Sequence, residues 1–449
     1  MNARSFILFL SLVAAPVAAQ QSADTTVART LTAAPEQVTL PEAIRRVQLT
    51  LPSMVQAQGA SRSADVQKRS AYGAYLPNVT LNGNLGGSNG ESRVDVFDSL
   101  TDQVNPVVVT RTSRNVGTSL NASIDLWTGL RRGADLATAT ATQHSADAGL
   151  VNARFQAQLQ LTGAYLDALA ARQTVDVRVA SVRRAMEQLK VSVAKLRAGS
   201  ATRSDSLRSE VNLGNARIQV INAEIQQATA EASLGRLIGA RGRVEAVDDS
   251  TYYALQPIDT TGLRAEARAQ APQVLSAQAS AEAARAGVRS AYSAYSPTLT
   301  LSGTYSLSDN PPSFDQAQLL KNRSASLGLA WPLFNRFQRE QTIAQRQIAA
   351  DNANATAADA TRLVDAGITQ RLIELAAASL RIDITRSSVL AAREDIRVIG
   401  ERYRLGAATI VDLLTSQEAL TQAEVDAVNA RFDYLRAKAQ VEALIGRSL

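Results

Sequence analysis

The sequence predicts a mostly α-helical, internally duplicated fold in which long coiled-coil helices are combined with four short strands per chain. The first observation is a repeat: residues 70–81 read SAYGAYLPNVTL and residues 290–301 read SAYSAYSPTLTL, with eight of twelve positions identical. In each copy a helical run meets a proline, which cannot continue a helix, and a strand-like alternation of apolar and polar residues follows. The second observation is composition: 45% of the residues are hydrophobic but only 4% are aromatic, because alanine supplies much of the apolar total. Such usage is typical of long, closely packed helices.

The N-terminus has the pattern of a secretory signal peptide over residues 1–19. Arg4 precedes an apolar run at 6–15, and small residues at 17–19 supply a cleavage site. Residues 20–39 are polar, and we expect a flexible segment there. No later run of about 18 apolar residues occurs, so the sequence predicts no transmembrane helix in the mature chain. An exported chain of this kind can enter a membrane only as a β-barrel, because a closed barrel satisfies its backbone hydrogen bonds internally.

The first structural repeat spans residues 40–246 and begins with a helix that we expect to bend at Pro52. A β-hairpin at 77–127 follows. We expect strands only at its ends, about 77–86 and 113–127, with a long loop rich in Asn, Asp and Ser between them. One face of the second strand is mostly apolar and alternates with polar residues; it consists of Thr118, Leu120, Ala122, Ile124 and Leu126.

A pair of long helices completes the first repeat. The first helix, from about 131 to 198, is on the order of 100 Å long. It carries a heptad stripe typical of coiled coils, formed by Val175, Val179, Val182, Met186, Leu189, Val193 and Leu196. After a break at 198–202 the second helix returns along the first. Its apolar stripe consists of Leu207, Val211, Ile218, Ile221 and Ile225.

A linker at 247–261 leads to the second structural repeat, 262–449, which follows the same plan of helix, β-hairpin and long helix pair. Its hairpin lies at 297–332, and its helix pair breaks at 405–409. The offset between the repeats falls from 220 (290 − 70) before the hairpins to 207 (406 − 199) after them, so the first hairpin is 13 residues longer. Insertions of this kind are tolerated at exposed loop tips, which places both hairpin loops at an outer end.

The four predicted strands have one polar and one apolar face but cannot close into a barrel by themselves. An open sheet edge cannot lie in lipid, because its backbone groups have no hydrogen-bond partners there. Several chains therefore share one barrel; two chains give 8 strands and three give 12. An exported coiled-coil scaffold or adhesin is the alternative of a different class. It explains the heptads but not the two-faced strands.

The composition argues against catalysis and against a bound cofactor or metal. The chain has no cysteine and one histidine, His144, which we expect to be a solvated surface residue. No nucleophile, base and orienting group can be assembled from the remaining residues, so we expect no enzyme activity. The formal charge is +6, but lysine and arginine are interspersed with acidic residues. Because no basic run is present, we expect no nucleic-acid partner.

The order of these features resembles the TolC-like outer-membrane efflux proteins, or outer membrane factors. The resemblance covers nearly the whole mature chain and rests on three kinds of motif: the duplicated helix–proline–strand junctions, the strand ends Leu126-Trp127 and Leu333-Phe334, and the tip motifs G-x-x-T-x-x-D that begin at Gly199 and Gly406. It implies a homotrimer with a 12-stranded barrel in the outer membrane of a Gram-negative bacterium and a 12-helix periplasmic tunnel. It further implies the exit duct of a tripartite efflux system, with a periplasmic adaptor and an inner-membrane transporter as partners. A type I protein-secretion duct is the close alternative.

The resemblance implies a periplasmic aperture at the helix tips, formed by Asp412, Asp205, Thr415, Tyr403 and Arg203. It also implies that the two tip turns contact the adaptor through Gly199, Ser200, Ala201, Thr202, Gly406, Ala407, Ala408 and Thr409. A ring of Asp412 carboxylates near one axis attracts cations, but an aspartate after a turn also suits a helix N-cap, and both interpretations stay open. Thr415 and Ala408 replace an acid and a base of the family pattern. We therefore expect the closed state to be held differently, through Arg203 or Arg404.

Aromatic residues cluster where helices and strands meet, and we interpret them as a membrane-interface belt in contact with outer-membrane lipid. They are Trp127, Trp331, Tyr72, Tyr75, Tyr292 and Tyr295. The alternative is ordinary packing at the junctions.

Overall fold

A computed structural model describes residues 35–98, 103–248, 262–309 and 320–449. The predicted signal peptide, residues 20–34 of the expected flexible segment and most of the predicted linker lie outside the described residues.

The described residues form eight helices, most of them at the positions that the sequence predicts. Their bounds are Leu40–Thr50 (α1), Pro52–Gly73 (α2), Arg131–Arg197 (α3), Arg203–Ile238 (α4), Leu263–Gln270 (α5), Pro272–Tyr292 (α6), Gln338–Arg404 (α7) and Ile410–Ile445 (α8). Pro52 separates α1 from α2 as expected, since it occupies the first position of α2 and cannot donate a backbone hydrogen bond. None of the helices in the described ranges combines the length and the apolar character needed to cross a membrane.

Four long strands form one antiparallel sheet in the order β2–β3–β5–β6. Their bounds are Asn78–Asp98 (β2), Gln103–Trp127 (β3), Thr298–Asp309 (β5) and Leu320–Ala330 (β6). The predicted hairpin at 77–127 is present, but the expected inner limits of its two strands are wrong, because residues expected in the loop continue the ladder; Ser88 pairs with Ser113 and Gly90 with Arg111. Asn, Ser and Gly favour turns as individual residues, but here the cross-strand backbone hydrogen bonds override that preference.

The sheet has the two predicted faces. On the apolar face Ile124 lies opposite Leu301, and Leu301 lies opposite Leu327. On the polar face side chains bond laterally between strands: the Thr300 hydroxyl donates to Asp125 Oδ1 at 2.8 Å, and the Thr304 hydroxyl donates to Asn121 Oδ1 at 2.9 Å. The period-2 pattern therefore predicted the facing of these side chains correctly.

The helices continue the order of the strands. Next to the sheet the packing order is α2–α3–α6–α7, and toward the other end it is α4–α3–α8–α7. The edges of the layer are therefore β2 with α2 and α4 on one side, and β6 with α7 on the other. Both helical edges carry apolar side chains that are more than half exposed, such as Ile218 of α4 and Leu380 of α7.

The apolar residues of the long helices differ in burial in the single chain. On α7, Val364, Ile368 and Leu375 lie in one buried row and are at most 4% exposed. On α4 the stripe from Leu207 to Ile225 is 51–64% exposed. The apolar pattern of α4 was predicted correctly, but no side chain of the described residues covers it.

The main core lies at mid-length of the helices, around a small parallel sheet that the sequence did not predict. Glu36–Val38 (β1) pairs with Val244–Ala246 (β4), so the expected flexible segment already contains a strand at 36–38. Tyr165 of α3 is fully buried beneath this sheet. Its hydroxyl oxygen lies 2.9 Å from the Val38 carbonyl oxygen and accepts a hydrogen bond from the Val247 N–H at 3.0 Å. One phenol thus ties the start of the first repeat to its end.

We expect Tyr165→Phe to lower the free energy of unfolding by about 1–3 kcal/mol, because it removes the hydrogen bonds of the phenol and leaves Val38 and Val247 joined only by their own backbone bond at 3.2 Å. Loss of the hydroxyl also frees the β1 segment, so limited proteolysis should cut near Glu36 faster. Tyr72→Phe, at an exposed tyrosine, is the matched control and should change neither property. Equal proteolysis rates in the two variants would contradict this role of Tyr165.

Candidate functional site

The two long helical hairpins close with the same turn at the end of the molecule away from the large sheet. Gly199 and Gly406 adopt φ values of +71° and +78°, a region that residues with a Cβ avoid. The following residue folds back in each case: Ser200 N–H donates to the Lys195 carbonyl at 2.9 Å, and Ala407 N–H donates to the Arg402 carbonyl at 2.7 Å. The predicted tip residues therefore form two equivalent, exposed turns.

Each returning helix begins with a capping box. The Thr202 hydroxyl accepts from Asp205 N–H at 3.2 Å, and the Asp205 carboxylate accepts from Thr202 N–H at 3.1 Å. Thr409 and Asp412 repeat the arrangement at 3.2 and 2.9 Å. The N-cap residues are therefore Thr202 and Thr409, and the two aspartates are the N3 members of the capping boxes, so the interpretation of the aspartates themselves as N-caps is wrong. The exposed Asp412 carboxylate still places a charge at the tip.

The Asp412 carboxylate is held in its ionised form. The Thr409 N–H, the Thr409 hydroxyl at 2.8 Å and the nearby charge of Arg402 lower its pKa below the usual value. Thr415 follows one turn later on α8 and is also exposed.

A small apolar cluster lies under the second tip and is bridged to the first hairpin by a lysine. Tyr403, 5% exposed, packs with Ile410 and Leu413. Lys195 of α3 places its ammonium 4.2 Å from the centre of the Tyr403 ring and donates to the Tyr403 carbonyl. This carbonyl is in the last turn of α7, where the helix dipole favours a cation. Lys195 therefore joins the two hairpin tips within one chain.

Sequence reasoning missed Lys195 and named Arg203 and Arg404 instead. Arg404 pairs with Glu401 of its own helix. Arg203 is exposed, and the described residues offer it no ion pair. The repeat offset contained a usable signal, because Lys195 corresponds to Arg402 (402 − 195 = 207).

A second bridge between the hairpins lies farther from the tips. Arg184 of α3 donates to the Thr421 hydroxyl at 3.0 Å and to the Glu424 carboxylate at 3.1 Å, both on α8. Arg393 of α7 lies 3.5 Å from the same carboxylate. Glu424 is only 15% exposed, so its charge is largely removed from solvent but is shared by two guanidinium groups. Charge-assisted hydrogen bonds of this kind are stronger than the contacts of an exposed ion pair, and their directionality fixes how α3 and α8 lie against each other.

The six predicted aromatic residues lie where the sheet meets the helices, and all are exposed. Arginines cover two of them: Arg132 Cζ lies 5.4 Å from the centre of the Tyr75 ring, and Arg339 Cζ lies 3.9 Å from that of Tyr295. Arg132 and Arg339 are equivalent in the two repeats (339 − 132 = 207). Trp331 Nε1 donates to the Tyr295 carbonyl at 3.1 Å.

The two-faced sheet continued by paired helical hairpins is the fold of solved outer-membrane channels. The Campylobacter jejuni CmeC outer membrane channel superposes with a TM-score of 0.73 and 16% identity, over 91% of this chain and 85% of that one. A family model described as outer membrane efflux protein matches residues 43–240 and 263–447. The chain belongs to the outer membrane efflux protein family.

Curated relatives align over shorter stretches. Protein CyaE of Bordetella pertussis is 28% identical over 270 residues, which are 58% of this chain and 55% of that protein. The alkaline protease secretion protein AprF of Pseudomonas aeruginosa is 26% identical over 320 residues, 67% of this chain and 64% of that protein. The aligned region thus spans less than two thirds of either relative.

Asp412 predicts an acid-dependent loss of order at the start of α8. Its folded pKa is below the unfolded value of about 3.9, so its stabilising contribution is complete above about pH 4 and is lost as the pH falls through the folded pKa. Asp412→Asn leaves the Thr409 N-cap in place but carries no charge at any pH. Because the ionised carboxylate is stabilising at pH 7, the first turn of α8 should exchange faster in Asp412→Asn than in wild type at pH 7, and its exchange should depend less on pH below 4. Identical acid profiles for the two proteins would rule out this carboxylate as the cause.

Proposed function

We propose that this protein is the outer-membrane exit duct of a tripartite efflux system, which passes solutes from a periplasmic adaptor and an inner-membrane pump to the exterior. Family membership and the channel fold support the proposal. The observation that carries it is the sheet itself: one face is apolar, the other is polar, and the outer edges of β2 and β6 have no partner in the described chain. A sheet of this kind is suited to a barrel wall between lipid and water.

The free edges support a ring of identical chains. The edge formed by β2 and α4 differs from the edge formed by β6 and α7, so copies join head to tail and close when the rotation permits. A homotrimer places 12 strands in one barrel. The exposed apolar side chains of its two helical edges, such as Ile218 of α4 and Leu380 of α7, then cover each other in the periplasmic tunnel.

The periplasmic end of the proposed tunnel is formed by the tips. In a trimer three Asp412 carboxylates approach one axis and attract cations, while Lys195 holds the two tips of each chain together. The exposed turns at Gly199 and Gly406 are the proposed contacts for the adaptor. We place the aromatic belt at the periplasmic interface of the outer membrane, with Trp127 and Trp331 toward lipid.

Protein secretion is the second candidate function. It is favoured by the likeness to AprF, which is named for secretion of an alkaline protease. Both candidates use an open duct, so both predict ion conductance across a bilayer. The scaffold or adhesin alternative predicts none.

The facing of the sheet is tested by a pair of adjacent substitutions. Leu301→Arg places a charge toward hydrocarbon and should cost about 2–4 kcal/mol if the position is near the midplane. Ser302→Arg places the same charge on the polar face and should be far milder. Heat-modifiable migration of the assembled oligomer and its yield in the outer membrane measure the difference. Equal defects would contradict the proposed facing.

The duct and its aperture are tested by single-channel recording in planar bilayers. Wild type should conduct and prefer cations, and divalent cations should block it. Asp412→Asn should weaken both the preference and the block, because it removes the charge but keeps the cap. Glu418→Gln removes an exposed carboxylate farther along α8; it is the matched control and should behave like wild type. If wild type conducts but Asp412→Asn keeps its selectivity and block, the duct stands and the role of Asp412 is wrong.

A further inference from the structure

The turns that lead from the sheet into the long helices hold bulky side chains in an unfavourable backbone conformation. Leu130 and Phe337, the residues immediately before α3 and α7, have φ values of +67° and +63°. Arg336 has φ +57°, and these three are the non-glycine residues with positive φ in the described chain. Leu130 and Phe337 are equivalent in the two repeats (337 − 130 = 207), so the conformation occurs twice.

Neither the turn geometry nor internal packing explains these side chains. Glycine adopts positive φ without strain, and the chain uses it at Gly129, where a Cβ would lie 1.9 Å from Ser296 Cβ. Leu130 is nevertheless 73% exposed, and Phe337 is 68% exposed with an edge-on contact to the equally exposed Phe334. Strained residues persist where they serve a function. The function of these side chains therefore lies outside the chain.

The surroundings indicate a membrane interface. A bulge between Asp125 and Trp127 turns Trp127 onto the apolar face, opposite Leu299. The apolar rows of the sheet thus end in an indole and continue directly into Leu130. The same level carries exposed arginines: Arg131 reaches Asp125 only at 3.8 Å, and Arg336 has no ion-pair partner in the part of the chain that the structure describes.

We propose that Leu130, Arg131, Phe334, Arg336 and Phe337 form a junction collar that binds anionic glycerophospholipids of the periplasmic leaflet. This inference rests on the proposed function, which places the apolar face of the sheet in lipid. Apolar side chains alternating with cations suit the boundary between acyl chains and headgroups. The guanidinium groups of Arg131 and Arg336 bind the lipid phosphate in a two-pronged geometry.

The chain contains two tryptophans, Trp127 and Trp331, and both lie at the collar. Their fluorescence therefore reports lipid contact at this level without any label. The assembled protein is reconstituted into vesicles that contain brominated phosphatidylglycerol or brominated phosphatidylcholine, since bromine quenches tryptophan on contact. We expect stronger binding of the anionic lipid by wild type. Arg336→Gln should reduce that preference about fivefold, and Arg397→Gln, far along α7, is the matched control that should not.

The possible results distinguish a failure of the proposed function from a failure of the junction collar. Absence of quenching by either lipid would refute the placement of the sheet in a membrane and with it the proposed function. Quenching by both lipids with equal affinity in wild type, or an unchanged preference in Arg336→Gln, would refute only the collar.

A second variant tests the strained residues. Glycine adopts the positive φ of position 337 without strain. A Phe337 that serves only the turn therefore predicts that the Phe337→Gly oligomer is at least as thermally stable as wild type, in detergent and in vesicles alike. The collar predicts that the added stability of wild type in phosphatidylglycerol vesicles, relative to detergent, is reduced in Phe337→Gly. If Phe337→Gly gains as much thermal stability as wild type on transfer from detergent to phosphatidylglycerol vesicles, Phe337 has no role in lipid binding.

Discussion

The outer edges of β2 and β6 are the constraint on which the rest of the structure depends, since no strand of the described residues pairs with them. A four-stranded sheet with one apolar face has no stable position in water or in lipid until both edges find partners. β2 and β6 lie at opposite ends of the strand order, so they do not pair with each other. In the proposed trimer, further copies satisfy the edges and also cover the apolar stripe of α4. Backbone hydrogen bonding then sets the proposed assembly, and side-chain packing follows it.

The two repeats share the same local structural features at both ends of the layer. At the tips, each repeat contributes a left-handed glycine and a Thr–Asp capping box. At the sheet, each repeat contributes an arginine over a tyrosine ring. The repeats differ in the contact that joins the two tips, which occurs once in each chain. Lys195 crosses to Tyr403, whereas the equivalent Arg402 donates to Ala407 of its own turn.

Sequence reasoning succeeded where local pattern decides the structure. Proline placement gave the helix breaks, alternation gave the faces of the strands, and the tip motif gave both turns. It failed where the structure depends on contacts between residues that are distant in sequence. The β1–β4 pairing depends on contacts across 208 residues, between Gln37 and Glu245 for example. The extension of β2 depends on its register with β3, and the Lys195 bridge depends on two hairpin ends that meet only after folding.

The two strands of the first β-hairpin extend past the described strands of the second hairpin, at the end of the sheet away from the helices. β2 has 21 residues and β5 has 12, while roughly 9–11 residues suffice to cross a bilayer. In the register of the sheet Asp309 lies level with Val116 and Leu85, so β2 continues for 13 residues (98 − 85), about 40 Å along the strand, past the last described residue of β5. Three such ribbons project from the proposed trimer. In the proposed trimer these ribbons stand clear of the bilayer, so substitutions in them are expected to be tolerated more readily than substitutions in the strands below.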